Sequence, residues 1–319
     1  MNKSGKIKAS DFVPQTRLGE LLAKKDGPGI LYLLGHLSVL AITGFLLHLS
    51  LDTGWIIPAV VLHGTVIVHL FAPFHEANHY TAFSSQWLNK SVAWFTGLSI
   101  FLIPLYFRYE HIAHHNHTQM QKEDPEMIPM AERLTGYLYY TTAIPYFYSN
   151  LLTLARVPFR LYNSMELKFI PNRELDHVWR QACIMCMVYI GLAALSVALE
   201  TWMLVVYWLI PRFAGEPIMR LIRMTEHTGC PRVADILRNT RTVLTFAPVR
   251  WLGWNNAYHA EHHAVPTVPF HALGELHQTM GSQFAEIRKG YLHTQIHLIK
   301  NSALSDDKKN LENEAVIAQ

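Results

Sequence analysis

The feature that most constrains this fold is a set of long apolar segments that are almost free of charge. Residues 30–50 contain no formally charged side chain. At about 1.5 Å per helical residue, this run is long enough to cross a hydrocarbon core of roughly 30 Å. A second run, residues 55–74, follows after the short turn at residues 51–54. The sequence therefore predicts a first membrane hairpin, with spans at about residues 30–50 and 55–74.

A third apolar stretch, residues 182–211, carries one acidic residue, Glu200, near its middle. It is too long for one span and short for two, since a span needs about 20 residues. We interpret it as a tight hairpin around Glu200 and Thr201, with spans at about residues 178–199 and 201–213. The predicted fold class is an all-α integral membrane protein with four transmembrane helices in two hairpins and a cytoplasmic helical cap.

Two shorter apolar stretches, residues 91–107 and 137–155, are interrupted by Pro104 and Pro145 and are predicted to be interfacial or buried helices. Charged residues make up 16% of the chain, against about 25% in soluble domains, which agrees with a membrane protein. No basic stripe is present, so nucleic acid is not an expected partner. The chain is predicted to consist of a cytoplasmic N-terminal segment 1–29, a membrane domain 30–301 and a polar tail 302–319.

The distribution of positive charge predicts the orientation of the spans. The turns at residues 51–54 and 199–202 contain no Lys or Arg, and all 27 of these residues lie in the other loops or near their ends. Because cytoplasmic loops carry the excess of Lys and Arg, we expect both termini on the cytoplasmic side. The segments that hold most of the histidines are then cytoplasmic too.

Histidine is unusually frequent, with 19 residues, and eight of them fall in three short motifs. The motifs read HEANH at residues 75–79, HIAHH at 111–115 and HAEHH at 259–263. On a helix, positions i, i+3 and i+4 share one face, so each motif aims two or three imidazoles at one point. Imidazole is a common ligand of Fe, Zn, Cu and Ni. Eight such groups exceed the needs of one metal and predict two. The histidines are His75, His79, His111, His114, His115, His259, His262 and His263.

Further residues near the motifs are candidates for the same site. His227 directly follows the last apolar segment and is predicted as a ninth ligand. Glu76, Glu110, Glu226 and Glu261 each adjoin a histidine and are predicted to accept a hydrogen bond from a ligand ring. A solvated helix face is the alternative for Glu110. Asn255 either hydrogen-bonds a metal-bound water or caps a helix. The histidines inside the apolar runs, which are His36, His48, His63 and His69, are interpreted as structural.

These motifs resemble those of the membrane fatty acid desaturase and hydroxylase superfamily. The segment at residues 254–266 is similar to the third-motif region of bacterial desaturase-like proteins, and so is the Glu226-His227 pair. The resemblance covers roughly residues 30–280. One difference is Asn256-Ala257, which stands where the pattern has Met-Pro and predicts an altered local backbone.

The resemblance implies a non-haem di-iron centre held by the nine histidines, which uses O₂ and two electrons. It also implies a lipid acyl-chain substrate and a multi-pass protein of the bacterial inner membrane. The sequence has no His-Pro-Gly-Gly haem motif, so we expect a separate donor of the ferredoxin or cytochrome b5 type. A basic surface is predicted either to dock that donor or to contact lipid head groups. Its residues are Arg220, Arg223, Arg232, Arg238, Arg241 and Arg250.

Several reactions remain open at this point. Desaturation of an acyl-lipid is the leading interpretation, and hydroxylation or ketolation of a lipid or hydrocarbon is the alternative within the superfamily. A second alternative uses His75-Glu76-…-His79 as an HExxH zinc protease motif, with Glu76 as general base. A metal transporter or sensor is a non-enzymatic alternative, although such proteins favour ligands inside the spans and internal repeats.

Overall fold

Helices make up most of the protein in the computed structural model, which describes residues 9–303. In chain order the α-helices are α1 (Gln15–Leu21), α2 (Asp26–Ser50), α3 (Ile56–Val68), α4 (Phe71–His79), α5 (Gln86–Ile100), α6 (Pro104–His117), α7 (Leu134–Thr141), α8 (Ile144–Arg156), α9 (Glu166–Phe169), α10 (Leu175–Ala198), α11 (Ile210–His227), α12 (Ile236–Asn239), α13 (Ala247–Leu252), α14 (His259–Ala264) and α15 (Leu273–Met280). Residues 291–303 are also helical. The first eight residues and most of the predicted tail, residues 304–319, lie outside the described part.

Three helical segments are long and apolar enough to cross a membrane. They are Asp26–Ser50, the continuous segment Ile56–His79 formed by α3 and α4, and Asn172–Ala198, which ends with α10. The pair α5 and α6 passes the same test together, but it is bent by 96°. Residues 9–303 thus contain three candidate membrane spans, or four if the bent pair counts as one.

The bend between α5 and α6 has a local cause in the sequence. Phe101 ends α5 in the left-handed region with φ of 64°, and Pro104 begins α6. Proline is favoured in the first turn of a helix because its missing N–H has no partner there. The apolar stretch 91–107 is thus split into two helices that meet at a corner, and α6 carries the second histidine motif away from α5.

The structure differs from the sequence prediction at the segment 201–213. The chain does turn after α10, with Glu200 at φ of 47°, but the returning helix does not end near residue 213. It passes through a π-helical segment, Val205–Leu209, and continues as α11 to His227. Arg212 and Glu216 are about 1% exposed on α11. A helix with buried charges packs against protein rather than lipid, and α11 is not among the candidate spans.

The prediction of an all-α fold was wrong in one detail, because a small parallel sheet is present. Strands β1 (Arg241–Leu244) and β2 (Glu286–Lys289) pair with Arg241 opposite Glu286. The Val243 N–H donates to the Ala257 carbonyl at 2.9 Å, and the Ala260 N–H donates to Thr242 Oγ1 at 3.3 Å. The sheet therefore holds the start of α14, which carries the third histidine motif.

The largest buried apolar cluster lies behind α14. Trp254 is 1% exposed and packs against Tyr32 and Phe270, with ring centroids 5.8 Å and 4.6 Å away. Because Tyr32 belongs to α2, this contact fixes the loop before α14 against the first span. The cluster connects the membrane helices to the segment that carries the third motif.

The crossing of α3 and α11 depends on two glycines. A Cβ atom at Gly64 would lie 2.1 Å from the Pro211 carbonyl oxygen, and one at Gly215 would lie 2.3 Å from the Gly64 backbone. We expect Gly64→Val to push the helices apart and to cost about 1–3 kcal/mol or more, as overpacking does. The measurement is the thermal midpoint in detergent. Gly191→Val is the control, because nothing lies within 4 Å of a Cβ there. Equal midpoints for the two variants would contradict the close crossing.

The histidines inside the apolar helices are hydrogen-bonded to nearby protein groups. His36 Nε2 lies 3.0 Å from the Val66 carbonyl oxygen, and His69 Nδ1 lies 2.7 Å from that of Thr65. The two ring nitrogens of His63 contact Thr43 Oγ1 and the Tyr207 carbonyl oxygen. These contacts agree with the structural interpretation.

His48 is the exposed member of this set, and its Nδ1 lies 2.7 Å from the Tyr207 hydroxyl. We expect His48→Phe to leave activity within about twofold of the parent, because an exposed hydrogen bond contributes little. The measurement is product formation in cells, normalised to membrane-inserted protein. An inactive His48→Phe variant would mean that this span histidine takes part in function.

Candidate metal centre

The nine histidines singled out from the sequence converge in two adjacent groups. The five-histidine group consists of His75, His79, His111, His115 and His262, and the four-histidine group consists of His114, His227, His259 and His263. Within each group, one possible ligand atom per residue lies within 4.8 Å of all the others. For comparison, two nitrogens on opposite sides of a metal are about 4.2 Å apart at bond lengths of 2.0–2.1 Å.

Each HxxHH motif contributes to both groups, but in opposite proportions. On α6, the i,i+4 pair His111 and His115 joins the five-histidine group and His114 joins the other. On α14, His262 joins the five-histidine group, while the i,i+4 pair His259 and His263 joins the other. Helices α6 and α14 therefore bridge the two groups. Helix α4 completes one group through the first motif, and the last residue of α11 completes the other.

The Nε2 atoms of the rings point towards one another. His111 Nε2 lies 2.8 Å from His75 Nε2 and 3.0 Å from His115 Nε2. In the four-histidine group, His227 Nε2 lies 3.1 Å from His259 Nε2. In a neutral ring whose Nδ1 carries the proton, Nε2 has only a lone pair. Contacts between two such Nε2 atoms therefore bring lone pairs together.

Other ring nitrogens in the site are buried without a hydrogen-bond partner in the described residues. They are the Nε2 atoms of His79, His114 and His263 and the Nδ1 atoms of His75, His115 and His262. A buried polar atom without a partner is costly. A metal ion in each group would satisfy the inward-facing nitrogens, so the residues present fit a pair of metal ions.

Two acidic residues orient the rings of α6 from outside. His111 Nδ1 lies 2.6 Å from Glu126 Oε1, and His114 Nδ1 lies 2.8 Å from Asp124 Oδ1. Asp124 also accepts the backbone N–H groups of Gln119 and Glu126, so the loop after α6 folds around its carboxylate. A carboxylate on Nδ1 fixes the tautomer that leaves Nε2 free for a metal.

Neutral groups orient the other three rings of the four-histidine group through Nδ1. His227 Nδ1 lies 3.2 Å from the Asn239 carbonyl oxygen, and His263 Nδ1 lies 3.2 Å from Thr118 Oγ1. His259 Nδ1 lies 3.2 Å from Asn256 Oδ1. With Nδ1 as the donor in each contact, the Nε2 atoms of all three rings remain available.

Burial keeps the rings outside the spans in their neutral form. It lowers the pKa of His227, His259 and His263 well below the usual histidine value. Burial also lowers the pKa of His262 to about 3. These imidazoles are therefore uncharged near neutral pH, which is the form that binds a metal.

The structure places two of the predicted neighbouring acids beside ligand rings. Glu76 Oε1 lies 3.4 Å from His75 Nδ1 and 4.0 Å from His262 Nδ1. Glu226 Oε2 lies 3.6 Å from His259 Nε2, and burial raises the pKa of Glu226 to about 7.

The other three predicted neighbours have different surroundings. Glu261 contacts Thr242 and His277, and it thereby holds α14 against the sheet and α15. Glu110 lines a cavity beside the centre. The Asn255 amide donates to the Phe270 carbonyl at 3.0 Å, so this residue fixes the loop before α14.

The contacts of Asp124, Glu126 and Asn256 were not found from the sequence. Asp124 and Glu126 lie nine and eleven residues beyond the end of the HIAHH motif, and only the turn-rich segment that separates them from the motif suggests a return of the chain. Asn256 stands at the position that differs from the superfamily pattern. Its side chain links His259 to Glu226, with Nδ2 donating to Glu226 Oε1 at 3.0 Å. An unbranched apolar residue at this position would lack that link.

The prediction of a basic surface was wrong for three of its six arginines. Arg220, Arg223 and Arg241 are at most 9% exposed. The Arg220 guanidinium lies 2.6 Å from Glu216, and that of Arg223 lies 2.6 Å from Glu126. Buried guanidinium groups need such partners, because desolvating an unpaired charge is expensive. The remaining members of the predicted surface are Arg232, Arg238 and Arg250.

A cavity of about 280 Å³ lies against the five-histidine side of the centre. Its apolar wall includes Phe107, whose ring stacks on His111 at 5.0 Å between centroids, and Phe71, whose ring is 5.9 Å from that of His75. Glu126 also lines the cavity. The cavity thus reaches the groups that contact the histidines.

Comparison with known proteins gives two matches. The family model for fatty acid desaturases matches residues 53–295. A sphingolipid delta(4)-desaturase of Drosophila melanogaster, DES1, is 24% identical over 254 residues, which cover 78% of this chain and 74% of the fly protein. The family match includes all three histidine motifs and His227.

Proposed function

Because this chain belongs to the fatty acid desaturase family, we propose that it is a membrane-bound, O₂-dependent di-iron oxidoreductase that introduces a C=C bond into a lipid acyl chain. The observation that carries the proposal is the division of nine histidines into groups of five and four. One metal ion takes four to six ligands, so this division suits two ions. The name of the fly relative, a desaturase of a membrane lipid, supports an acyl-lipid substrate.

The chemistry of the donors supports iron. Imidazole nitrogen is a good ligand for iron, and the nearby carboxylates of Glu126 and Asp124 contact ligand rings on their outer nitrogens. Two bound irons would supply the O₂-dependent oxidising power that removes hydrogen from an unactivated C–H bond, which side chains alone cannot supply.

The protein's own residues would position the substrate and hold the ligand rings. The cavity beside His111 has Phe71, Phe107 and Leu102 in its wall, whose rings and alkyl groups would contact an acyl chain. Glu126 holds the His111 ring through Nδ1, and Arg223 in turn holds Glu126 at 2.6 Å. The ligand rings are thus fixed by contacts that do not depend on the substrate, as a preorganised site requires.

We further propose that the site lies on the cytoplasmic face of a bacterial inner membrane. The charge-free turns at residues 51–54 and 199–202 support this orientation through the positive-inside rule. The electrons would come from a separate ferredoxin or cytochrome b5-type protein. The burial of Arg220, Arg223 and Arg241 restricts the basic groups that could dock such a donor to exposed ones such as Arg238.

The arrangement of the nine histidines also bears on the alternative functions. Hydroxylation or ketolation of a lipid would use the same nine histidines and is the second candidate. The zinc protease interpretation assigns one metal to His75 and His79. It leaves unexplained the three further histidines from the other two motifs that share their group.

The direct test is expression in a bacterial host that lacks membrane desaturases, followed by mass spectrometry of the extracted lipids. We expect a product that has lost two hydrogen atoms and contains a double bond, formed in air and absent under argon. A product that instead gains one oxygen atom would replace desaturation by hydroxylation. Unchanged lipids in aerated cells that contain iron-loaded, membrane-inserted protein would contradict the proposal.

Asp124→Asn tests the orientation of His114 without removing a ligand. The amide retains the shape of the carboxylate but loses its charge, so the tautomer of His114 is less strongly fixed. Loss of such a partner typically reduces metal affinity or activity by about 10–100-fold. The measurement is iron retained during dialysis against a chelator. Glu123→Gln is the control, because Glu123 contacts the exposed His117. Equal retention in both variants would contradict the role of Asp124.

A further inference from the structure

The chain turns after α10 in a way that leaves a large groove between α10 and the segment that returns from it. The groove has a volume of about 460 Å³, within the range of 300–1,000 Å³ that is usual for ligand sites. One wall is the last part of α10, and the other is the returning segment, residues 201–209. At about 1.5 Å per residue, a helix from Trp208 to His227 spans roughly 28 Å. The groove is therefore separate from the histidine centre.

Two aromatic side chains close the floor of the groove and cap the end of α5. Because α5 ends at a sharp corner, the carbonyl groups of its last turn have no partner within the helix. The Tyr189 hydroxyl donates to the Leu98 carbonyl at 3.0 Å. Trp208 Nε1 donates to the Ser99 carbonyl at 2.8 Å. Both rings lie against Phe101, with centroids 5.5 Å and 5.2 Å away. The polar atoms of Tyr189 and Trp208 are thus already used, and the floor offers ring carbons to a ligand.

The polar groups of the groove are confined to its other end, at the turn after α10. Ser196, Glu200 and Thr201 lie within about one helical turn of one another, and every other lining residue is apolar or aromatic. Thr201 Oγ1 accepts the Met203 N–H at 3.3 Å and so begins the returning helix. We call this end of the groove its mouth. The lining suits a long apolar molecule that carries a polar group at one end.

The surroundings of the groove indicate its depth in the membrane. Its α10 wall belongs to the candidate span Asn172–Ala198, which is largely exposed. Trp202 lines the mouth and is 74% exposed, and Trp55, beside the turn of the first hairpin, is 73% exposed. Tryptophan is enriched at the level of the lipid head groups. The mouth is thus placed at that level and the floor in the hydrocarbon layer, where acyl chains surround the protein.

The charge at the mouth is negative. Glu200 is exposed, and its carboxylate forms no ion pair within residues 9–303. Residues 181–211 contain no Lys or Arg. The nearest arginine along the chain, Arg212, is buried and paired with Glu216. A free carboxylate at this level attracts an ammonium group and repels a second anion.

From these observations we propose that the groove binds a membrane phospholipid whose head group carries an ammonium ion. One acyl chain lies between α10 and the returning segment, against the rings of Phe101 and Trp208, and the ammonium group contacts the Glu200 carboxylate. This lipid is a bound component of the protein and not the molecule that is oxidised, because the groove does not reach the histidines. The proposal goes beyond the proposed function and does not depend on it.

The test is competition between two lipids on the full chain. Protein in a neutral detergent is equilibrated with equal amounts of phosphatidylethanolamine and phosphatidylglycerol that carry the same acyl chains. The lipids retained per chain are then counted by native mass spectrometry. We expect one retained lipid, with the ethanolamine form favoured about three- to fivefold, as for an exposed ion pair. Equal retention of the two lipids, or preferential retention of phosphatidylglycerol, would overturn the proposal.

Glu200→Gln tests whether the head group lies at the mouth. The substitution removes the charge and keeps the size of the side chain, so the preference for the ethanolamine lipid is expected to fall to about one. The control is Asp52→Asn, which removes the exposed acidic residue of the other turn and does not line the groove. The control should keep the preference of the parent. A Glu200→Gln protein with an unchanged preference would contradict contact between the ammonium group and Glu200.

Ala193→Phe tests whether the acyl chain lies in the groove. Ala193 lines the groove, and a phenyl ring there would occupy the space of the chain. We expect retention of both lipids to fall at least roughly tenfold. The matched control is Ala194→Phe, at the next position of α10, which is exposed and outside the lining. Equal retention in the two variants would overturn the proposal. A lipid-free dimer that Ala193→Phe converts to monomers would also overturn it, because a second copy of the chain would then fill the groove.

Discussion

Replacing His262 by alanine is expected to abolish lipid oxidation while leaving the protein inserted in the membrane. The ring of His262 is 1% exposed, and its Nε2 lies 3.1 Å from His115 Nε2. The substitution therefore removes one of the five ligand nitrogens of the five-histidine group, from a ring that lies inside the group. Because loss of even an outer partner costs about 10–100-fold, we expect loss of a ligand to lower activity by at least that much.

The measurement combines bound iron per chain with product formation, both normalised to membrane-inserted protein. His48→Phe is the control, since it removes an imidazole that contacts Tyr207 and neither histidine group. Iron should fall only in His262→Ala. A fully active His262→Ala variant would remove this residue from the ligand set.

Replacing Arg223 by methionine is expected to destabilise the protein by about 3–5 kcal/mol, the usual cost of breaking a buried ion pair from one side. Arg223 is 9% exposed and bridges Glu126, at 2.6 Å, and Glu226. Without the guanidinium, the buried carboxylate of Glu226 and the half-buried one of Glu126 lose their counter-charge. The effect extends to the metal centre, because Glu126 also orients His111.

The thermal midpoint in detergent measures this loss, with the exposed Arg238→Met as the control. Adding Glu126→Gln and Glu226→Gln to Arg223→Met should recover part of the stability, since neutral amides no longer need the cation. Because Glu126 is altered, the triple variant is scored on stability and not on activity. An Arg223→Met protein that melts with the parent would show that the bridge contributes nothing to the fold.

The sequence predicted the parts of the molecule that follow from local periodicity. The apolar runs 30–50 and 55–74 correspond to α2 and to the segment of α3 and α4, because a charge-free run of this length is stable only as a helix in lipid. The convergence of the eight motif histidines was predicted from spacing, since i, i+3 and i+4 share a helix face, and that of His227 from its position directly after an apolar segment.

What the sequence did not reveal depends on contacts between distant segments. Spacing alone could not divide the HIAHH and HAEHH motifs between two groups, because that division requires the crossing angle of α6 and α14. The pairing of β1 with β2 joins segments about 45 residues apart. Likewise, the arginines of α11 looked like a surface, and only their carboxylate partners explain their burial.

Asn256 illustrates a difference that was recognised but could not be interpreted from the sequence. The expected consequence of Asn256-Ala257 was a change in backbone shape. The structure adds a side-chain role, in which one amide joins the His259 ring to Glu226. Only the folding of α11 beside α14 brings the two partners within reach of the same side chain.

The most direct test of the central claim is the metal content of the purified protein. Protein is prepared in detergent from iron-replete cells grown with little zinc, without chelators, and analysed by elemental mass spectrometry against the His262→Ala and His48→Phe variants. The proposal predicts about two irons per chain in the parent and in His48→Phe, and fewer in His262→Ala. One zinc per chain with no iron, unaffected by His262→Ala, would contradict a di-iron centre built from the nine histidines.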